Sequence, residues 1–344
     1  MGHIVENKLI LITGISGFIA KHCAVELLRH GYKVRGTLRS LSKAGEVRVT
    51  LAKNAGSADI EFVEADLGSD KGWDEAAKGA YGVLHVASPF PVAQPKDENE
   101  LIRPAVDGTM RVLKAAIAAG AARFVQTSSS VAVMYGHSKD RTAAFTESDW
   151  SNLDGPGISA YAKSKTLAEQ AARAYVAEMT PDLHFSTVNP GFVLGPLLDR
   201  DMGTSGEVIQ MFLKGKYPGC PKLSFATVDV RDIAKMHRLA LETAEPSGGR
   251  YVGVSETAWF IDMMRPIKAK LGEKARKVPS RELPNFMVKL IGMFDPAARG
   301  VVPELGHFMK VDNSRTRRAL DIEFIPVTES APAMAQSLVD LGLA

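Results

Sequence analysis

A tyrosine and a lysine lie four positions apart in the segment Tyr161-Ala-Lys-Ser-Lys165. Residues four apart share one face of a helix, so in a helix the phenol and the ammonium project together. A phenol with an ordinary pKa of about 10 is a poor proton shuttle near neutrality. A nearby cation stabilises the phenolate, and we therefore expect Lys165 to lower the pKa of Tyr161 and make it a usable acid or base.

A run of hydroxyl residues, Thr127-Ser128-Ser129-Ser130, follows the fifth predicted strand. A hydroxyl at this position can donate a hydrogen bond to a substrate oxygen and orient that oxygen towards Tyr161. A Tyr–Lys pair is common by chance, and it gains weight because the hydroxyl run lies at the same predicted sheet edge. On these grounds alone, any of the three serines could supply the hydroxyl.

A glycine-containing turn, Thr13-Gly14-Ile15-Ser16-Gly17-Phe18-Ile19-Ala20, follows the first predicted strand and opens a helix. Gly14 permits a tight turn, and Gly17 lets the backbone approach a pyrophosphate at the positive helix end. The spacing departs from G-x-G-x-x-G, because Ser16 and Ala20 replace two glycines, and a purely structural turn is the alternative. The position between strand and helix favours dinucleotide binding. The residues expected to contact the cofactor here are Gly14, Ser16, Gly17, Phe18 and Ile19.

Positive charge marks the end of the second predicted strand, in Arg35-Gly-Thr-Leu-Arg39-Ser40, with Lys43 a turn later. NAD-specific folds usually place Asp or Glu here to bind the ribose 2′-hydroxyl. A carboxylate would repel the 2′-phosphate of NADP, whereas Arg pairs with it in bidentate fashion. A solvated basic strand end is the alternative. We predict that the cofactor is NADP(H), held by Arg39 and Lys43.

Two further predicted strands end in candidate cofactor contacts. Asp66-Leu67 follows the third strand and could bracket the adenine, with Asp66 accepting a hydrogen bond from the amino group; a helix N-cap role for Asp66 is the alternative. Val86-Ala87-Ser88 ends the fourth strand, where we expect the nicotinamide ribose.

The predicted elements alternate between strand and helix over the first two-thirds of the chain. Such alternation implies parallel pairing with right-handed crossovers, an α/β fold with a doubly wound parallel sheet of the Rossmann type. The predicted strands are Leu9–Thr13, Lys33–Leu38, Ile60–Glu64, Gly82–Ala87, Arg123–Thr127 and His184–Asn189. The predicted helices are Phe18–His30, Leu41–Asn54, Lys71–Lys78, Leu101–Ala119 and Ala160–Glu178.

The alternation breaks after Pro190, and a smaller, discontinuous C-terminal substrate lobe is expected over the carboxyl ends of the sheet. The predicted Rossmann domain covers residues 1–190 plus about 226–255, and the substrate lobe covers about 191–225 plus 256–344. Residues 136–158 form a long connection on the same edge, and loops of this length tend to be functional lids.

Composition excludes several classes of function. The 344 residues carry a formal net charge of +3, too small to indicate nucleic-acid binding. The two cysteines, Cys23 and Cys220, have no metal-ligand spacing, so we expect no metal and a reducing compartment. No apolar run reaches the roughly 18 residues of a membrane span, and the N-terminus lacks the pattern of a signal peptide. We therefore expect a cytoplasmic protein.

Three conspicuous features have structural interpretations. His85 is expected to be a packed strand residue rather than a catalyst, and Val228–Asp232 a turn and helix start. The basic cluster Arg315–Arg318 is expected to be a solvated helix face.

Together these motifs resemble the extended short-chain dehydrogenase/reductases. The resemblance rests on Thr13–Ala20, His85-Val-Ala-Ser-Pro89, Thr127-Ser-Ser129 and Tyr161-x-x-x-Lys165. It narrows to dihydroflavonol 4-reductase-like NADPH-dependent aldehyde and ketone reductases and covers essentially the whole chain. The segments that narrow it are Ser164–Ala172, Asn189–Pro196, Val228–Asp232 and Asp312–Ser314.

The resemblance implies a role for each catalytic residue. It makes Tyr161 the proton donor, Lys165 its electrostatic partner and a ligand of the nicotinamide ribose, and Ser129 the serine that binds the carbonyl oxygen. Arg39 matches the 2′-phosphate ligand of the family. The remaining residues that it places at the cofactor are Thr127, Pro190 and Val193.

Two departures from the family pattern bear on the substrate. Met134 stands where plant dihydroflavonol reductases carry an asparagine that grips the flavonoid, which argues against that substrate. The Trp-Tyr-Cys-rich signature of cinnamoyl-CoA reductases is absent near Tyr161. The candidate substrate contacts, each with an ordinary core or lid role as the alternative, are Phe90, Met134, Tyr135 and Phe192.

The leading functional hypothesis is NADPH-dependent, reversible reduction of a hydrophobic or aromatic aldehyde or ketone. A nucleotide-sugar epimerase or dehydratase, or a steroid or aromatic alcohol dehydrogenase, is the alternative within the superfamily. A non-catalytic NADP(H) sensor is disfavoured because Ser129, Tyr161 and Lys165 are all present. The expected partner is a small-molecule carbonyl or alcohol, with neither nucleic acid nor membrane, and the chain is expected to be a monomer or homodimer. The physiological substrate and the stereochemistry of the product do not follow from the sequence.

Overall fold

The computed structural model describes residues 7–57, 59–89, 97–244 and 249–344. In chain order the strands are β1 Leu9–Ile12, β2 Lys33–Leu38, β3 Ile60–Glu64, β4 Gly82–His85, β5 Arg123–Thr127, β6 His184–Pro190, β7 Phe192–Leu194, β8 Ser224–Asp229, β9 Gly249–Gly253 and β10 Glu256–Trp259. The α-helices are α1 Phe18–Arg29, α2 Ala44–Ala55, α3 Trp73–Ala77, α4 Asn99–Ala118, α5 Ala160–Met179, α6 Gly203–Leu213, α7 Val230–Glu242, α8 Phe260–Leu271, α9 Asn285–Gly292, α10 Pro296–Val301, α11 Ser314–Leu320 and α12 Val327–Asp340.

A seven-stranded sheet forms the centre of the larger part of the molecule, in the order β3-β2-β1-β4-β5-β6-β9. All of its neighbouring strands are parallel. The strand order reverses between β1 and β4, and open parallel sheets bind ligands at such a reversal, beyond the carboxyl ends of the strands. The predicted doubly wound fold is confirmed, and the residues after β1, β4, β5 and β6 share one edge.

The prediction for the second helix was wrong at its start. Leu41–Lys43 form a separate 3-10 turn, and α2 begins only after it. Ser40 begins this turn because its hydroxyl accepts a hydrogen bond from the backbone N–H of Ser42, at 3.4 Å. The chain therefore leaves β2 through a capped turn that holds the basic residues at the strand end.

The third helix and two strands are shorter than predicted. α3 begins after Gly72, whose φ of 90° lies in the left-handed region and cannot continue a right-handed helix. β1 ends at Ile12 and β4 at His85. The residues beyond both strand ends are consequently free to form the loops of the cofactor edge.

The structural interpretations of His85 and Arg315–Arg318 agree with the structure. Val228–Asp232 contains the predicted helix start but no separate turn, because β8 runs to Asp229 and α7 begins at Val230. His85 is buried and hydrogen bonds Thr13 Oγ1 through Nδ1, at 3.0 Å. Asp229 begins α7 by accepting a hydrogen bond from the N–H of Arg231, at 2.8 Å. The arginines of Arg315–Arg318 are exposed on α11.

A second, three-stranded sheet forms a smaller lobe, with β8 between β10 and β7. β8 is parallel to β7 and antiparallel to β10. Helix α12 packs against α8 and α6 beside this sheet. Residues 226–255 contribute to both parts, because β8 belongs to the small sheet while β9 pairs with β6. The division into domains at these boundaries stays a prediction.

Membrane-spanning helices and metal-binding clusters are both missing from the residues that the structure describes. Among them, no helix has the length and apolar character needed to cross a membrane. The same residues contain no cluster of His, Cys, Asp or Glu side chains arranged to hold a metal ion.

Gly36 of β2 provides a test of how tightly the cofactor turn is packed. A Cβ on Gly36 would lie 2.7 Å from Cβ of the fully buried Ile15. We expect Gly36→Ala to displace Ile15 and destabilise the protein by about 1–3 kcal/mol. Thermal or denaturant unfolding measures this. The control is Gly45→Ala in α2, where a Cβ has open space and the unfolding free energy should be unchanged or slightly higher. Equal stability of the two variants would contradict the packing.

Candidate active site

The predicted catalytic residues Ser129 and Tyr161 meet at one edge of the sheet. Ser129 follows β5 and begins a 3-10 turn, where its hydroxyl accepts a hydrogen bond from the N–H of Val131, at 3.3 Å. Tyr161 lies in the first turn of α5, which Ser159 caps by accepting from the N–H of Ala162, at 3.1 Å. The side chains of Tyr161 and Ser129 are hydrogen bonded to each other. The structure thus brings together the phenol and the hydroxyl that the sequence paired.

Ser128, another of the three candidate serines, makes a different contact. The Ser128 hydroxyl donates to Glu169 Oε2 of α5, at 2.6 Å, and is therefore engaged away from Tyr161. The carbonyl oxygen of Ser129 accepts a hydrogen bond from Asn189 Nδ2, at 3.2 Å. Ser129 is held by its main chain and presents its side chain to Tyr161.

Burial controls the electrostatics of Tyr161 and Lys165. Desolvation raises the pKa of Tyr161 to about 12, although its hydrogen bond with Ser129 acts in the opposite direction. Desolvation lowers the pKa of Lys165 to about 8, against the attraction of the Glu169 carboxylate. The expectation of a lowered phenol pKa was wrong for this structure, because loss of water disfavours the phenolate more than its neighbours favour it. Near neutral pH Tyr161 carries a proton that it can donate.

The glycine turn after β1 is fitted closely against the end of β4. Gly14 has a φ of 63°, and a Cβ there would lie 2.9 Å from Cβ of Ala87. The Thr13 hydroxyl accepts hydrogen bonds from the N–H groups of Val86, at 3.0 Å, and Ala87, at 2.9 Å. A side chain at position 14 would force the ends of β1 and β4 apart. Glycine at this position therefore lets the two strand ends pack together.

The first turn of α1 has the properties of an anion-binding helix end. Its N-cap, Gly17, provides no side-chain hydrogen bond, and no acidic residue lies in the first turn. The backbone N–H groups of such a turn and the helix dipole attract a phosphate group. This uncapped turn, together with the closely packed backbone at Gly14, fits the pyrophosphate of a dinucleotide.

The basic end of β2 contains one engaged arginine and one available arginine. Arg35 donates from Nε to Glu61 Oε2, at 2.7 Å, and from Nη1 to the carbonyl oxygen of Ala76, at 3.0 Å. Arg39 and Lys43 are exposed, and no ion pair joins either of them to another residue within the described ranges. Of the two arginines, Arg39 can therefore pair with a 2′-phosphate.

The candidate adenine contacts lie after β3. Asp66 is exposed, and its Oδ1 accepts a hydrogen bond from the N–H of Gly68, at 2.7 Å. The alternative of a helix N-cap was wrong, because α3 begins later, after Gly72. Leu67 lies against Gly108 of α4, where a Cβ would be 3.0 Å from Leu67 Cβ.

The other expected cofactor contacts surround the ends of β5 and β6. The Thr127 hydroxyl donates to His237 Nε2, at 2.7 Å, so this side chain is tied to α7. Pro190 ends β6, and Val193 is a buried residue of β7.

The remaining expected cofactor contacts lie near the start of α1 and after β4. Ser16, Ile19 and Ser88 are partly exposed, whereas the Phe18 side chain is buried.

The candidate substrate residues divide into three groups. Met134 and Tyr135 line a cavity of about 150 Å³. Tyr135 is close enough to Tyr161 for the two phenols to interact electrostatically, and burial raises the pKa of Tyr135 to about 12. Phe192 instead packs on Phe225, with ring centroids 4.7 Å apart. Phe90 lies outside the described residues.

Several residues that line this cavity were not predicted from the sequence. They include Pro303, Glu304 and Phe308, about 170 positions after the two candidate substrate residues at this cavity. Glu169, which is buried on α5 itself, and Arg250, which is buried beside it, were also not predicted from the sequence. A charged residue among the apolar positions of a predicted helix could have indicated Glu169. Residues 303–308 show no sequence pattern that could have indicated their place at the cavity.

Comparison with known proteins agrees with this geometry. The model of the NAD dependent epimerase/dehydratase family matches residues 10–252. The protein belongs to this family.

Similar proteins include oxidoreductases and reductases. An uncharacterized oxidoreductase of Schizosaccharomyces pombe is 37% identical over 280 residues, covering 76% of this chain and 82% of that protein. A cinnamoyl-CoA reductase of Medicago truncatula is 33% identical over 272 residues, covering 76% and 80%. The structure of yeast methylglyoxal/isovaleraldehyde reductase Gre2 complexed with NADPH matches with a TM-score of 0.80 at 25% identity, covering 98% of this chain and 100% of that chain. These findings confirm the predicted resemblance and the prediction of an NADP(H)-dependent oxidoreductase.

The available arginine at the end of β2 yields a prediction about cofactor preference. Arg39→Ala should raise the KM for NADPH roughly 10- to 100-fold, the loss expected for hydrogen bonds to a charged group. The KM for NADH, which lacks the 2′-phosphate, should hardly change. Lys33→Ala removes an exposed cation at the other end of β2 and is the matched control. Equal effects on the two cofactors would contradict the assignment.

Proposed function

We propose that this family member transfers a hydride from NADPH to the carbonyl carbon of an aldehyde or ketone with a hydrophobic or aromatic substituent. The observation that carries the proposal is the hydrogen bond between the side chains of Ser129 and Tyr161, with buried Lys165 one helical turn further along. This hydrogen bond lies at the carboxyl ends of the strands, beside the N-terminus of α1, which fits a pyrophosphate. Carbonyl reduction needs an oriented oxygen and a proton donor at this position.

In the proposed mechanism, each side chain has one task. NADPH, when bound, supplies the hydride. The Ser129 hydroxyl donates a hydrogen bond to the substrate oxygen and directs it towards Tyr161. Tyr161 gives its proton to this oxygen, where negative charge develops as the carbonyl is reduced. Protonated Lys165 stabilises the phenolate that Tyr161 becomes, because opposite charges attract strongly at a buried site.

The cavity beside Tyr161 supports the proposed substrate class. Tyr135, which interacts electrostatically with Tyr161, links this cavity to the candidate catalytic site. The cavity lining combines apolar side chains with charged ones: Met134, Phe145, Phe308 and Met309 with Lys139, Arg141, Glu304 and Lys310. The apolar part of the lining can accommodate an aliphatic or aromatic substituent. With methionine at position 134 and without the cinnamoyl-CoA reductase signature, we propose neither a flavonoid nor a coenzyme A thioester as substrate. Gre2, by its name, reduces methylglyoxal and isovaleraldehyde, and small aldehydes belong in the first assay.

The proposed reaction is tested with NADPH and a panel of aliphatic and aromatic aldehydes, ketones and ketoesters, following NADPH absorbance. We expect turnover with at least one of them. Tyr161→Phe should lower kcat by about 100-fold or more, because general acid catalysis contributes at least that much. Its NADPH affinity, measured by fluorescence titration, should be close to that of the wild type. Unchanged kcat in Tyr161→Phe, or no turnover with any carbonyl, would refute the proposal.

The pKa of Lys165 predicts how the reduction depends on pH. The protonated form that stabilises the Tyr161 phenolate is present below this pKa, which is about 8, and is lost above it. We therefore expect kcat to be highest near neutral pH and to fall as pH rises through about 8. A pH–rate profile measures this. The Tyr161 phenol, with its higher pKa, does not limit this range. A rate that keeps rising across this interval would show that Lys165 does not act as a cation in the reduction.

A further inference from the structure

A buried ion pair joins the catalytic helix to the last strand of the large sheet. Glu169 lies one helical turn after Lys165 on α5 and has no solvent exposure, and Arg250 of β9 is 5% exposed. Arg250 Nε donates to Glu169 Oε1, at 2.7 Å. Arg173, a turn further along α5, donates from Nε to the same oxygen, at 3.1 Å. Glu169 is thus shared by two arginines.

Nη2 of Arg250 also donates to Glu169 Oε2, at 3.5 Å, and both Nη1 and Nη2 reach the segment Ala132–Trp150. Nη1 donates to the carbonyl oxygens of Glu147, at 2.9 Å, and Asp149. Nη2 donates to the carbonyl oxygen of Ala132, at 3.1 Å, and the guanidinium lies 3.8 Å from the ring centroid of Trp150. One side chain therefore holds both ends of the segment that contains Met134 and Tyr135.

The Glu169 carboxylate holds the residues around Ser129 in a similar way. It accepts hydrogen bonds from the Ser128 hydroxyl, at 2.6 Å, and from Asn189 Nδ2, at 2.8 Å. The same Asn189 amide group donates to the carbonyl oxygen of Ser129. The peptide that presents the catalytic hydroxyl is thereby tied to the helix that presents Tyr161 and Lys165.

Stability alone does not account for so many buried charged contacts. Removing two charges from water is costly, and apolar residues of similar volume often stabilise a protein as well or better. What apolar residues cannot supply is direction, because the planar guanidinium fixes several acceptors at once. Every acceptor fixed here belongs to an element that borders the candidate active site.

We infer that Glu169 and Arg250 are positioning residues: together they hold Ser129 and the segment Ala132–Trp150 in register with Tyr161 on α5. This inference rests on the proposed carbonyl reduction and adds the residues that set its geometry. Neither side chain is assigned contact with the substrate or cofactor.

The same carboxylate affects the charge on Lys165. Besides Tyr161 on the same helix face, the titratable groups that interact with Lys165 are Glu169 on its own helix and His85 on β4. Burial lowers the pKa of His85 to about 3, so His85 is neutral in the working range, and Glu169 is the anion that opposes the desolvation of Lys165. Loss of this anion should allow the lysine to lose its proton at a lower pH.

The first experiment compares Arg250→Lys with Arg173→Lys in the full-length protein. Both replacements weaken an ion pair with Glu169, but Arg250 is the arginine that donates to the carbonyl oxygens of Ala132 and Glu147, whereas Arg173 donates to Thr187 and Gly249. We expect Arg250→Lys to lower kcat by roughly 10- to 100-fold, since a misplacement of about 1 Å can have that effect. Arg173→Lys should leave kcat within about threefold while lowering Tm by a comparable amount. Equal kcat losses in the two variants would overturn the inference.

The second experiment separates positioning from folding. The double variant Glu169→Met/Arg250→Met removes both charges together and should retain or regain Tm. Its kcat should nevertheless remain as low as that of Arg250→Lys. Restoration of kcat together with Tm would reduce the pair to a structural role and overturn the inference.

The third readout is the pH profile of Glu169→Gln. We expect the fall in kcat at high pH to move to lower pH than in the wild type, which a purely structural defect would not do. Ser128→Ala breaks only one of the hydrogen bonds of Glu169 and should leave this midpoint in place. An unmoved midpoint in Glu169→Gln would contradict the electrostatic part of the inference.

A measurement without turnover distinguishes this inference from the proposed function. Amide hydrogen exchange of residues 130–151 should be faster in Arg250→Lys than in Arg173→Lys and the wild type. If the wild type reduced no carbonyl but this difference appeared, the proposed function would fail while the positioning network stood. If exchange were the same in all three proteins, the inference would fail whatever the activity.

Discussion

The hydrogen bond between Tyr161 and Ser129 is the contact on which the candidate active site depends. Its two residues belong to different elements, one at the start of α5 and the other just beyond β5. A hydrogen bond tolerates little change in distance or angle. The helix must therefore be fixed on the sheet in both position and rotation, and the turn after β5 must be fixed in conformation. Much of the buried polar structure nearby meets this requirement.

Desolvation is the second constraint, and it acts on both catalytic groups. Burial favours the neutral phenol at Tyr161 and makes the charge on Lys165 costly. Both effects fit a site that donates a proton to an oxygen as negative charge develops there. They also explain why a carboxylate lies one helical turn below the lysine: without an anion nearby, a fully buried ammonium would lose its proton more readily.

The sheet edge where the cofactor is expected to bind depends on the close approach of neighbouring backbone segments rather than on side-chain hydrogen bonds. Gly14 against Ala87 and Gly36 against Ile15 allow the turn after β1 to lie on the ends of its two neighbouring strands. The adjoining helix end is left uncapped, so its N–H groups can bind an anion. Residues near position 305 line the same cavity as Met134 and Tyr135.

The sequence by itself determined the elements and the chemistry that depends on local spacing. Alternating strand and helix patterns predicted the sheet, the spacing from Tyr161 to Lys165 placed both on one helix face, and Arg39 indicated the cofactor. Parallel strands bring their carboxyl ends to one edge whatever the details of packing, and so these predictions needed no tertiary information.

Tertiary structure alone decided the contacts between distant segments and the cost of burial. It selected Ser129 over Ser128, moved Phe192 into an aromatic cluster, and reversed the expected pKa shift of Tyr161. It also joined Arg250 to Glu169, 81 positions apart in the chain. These outcomes depend on which side chains exclude water from one another, a property of the packed molecule that local spacing along the chain does not contain.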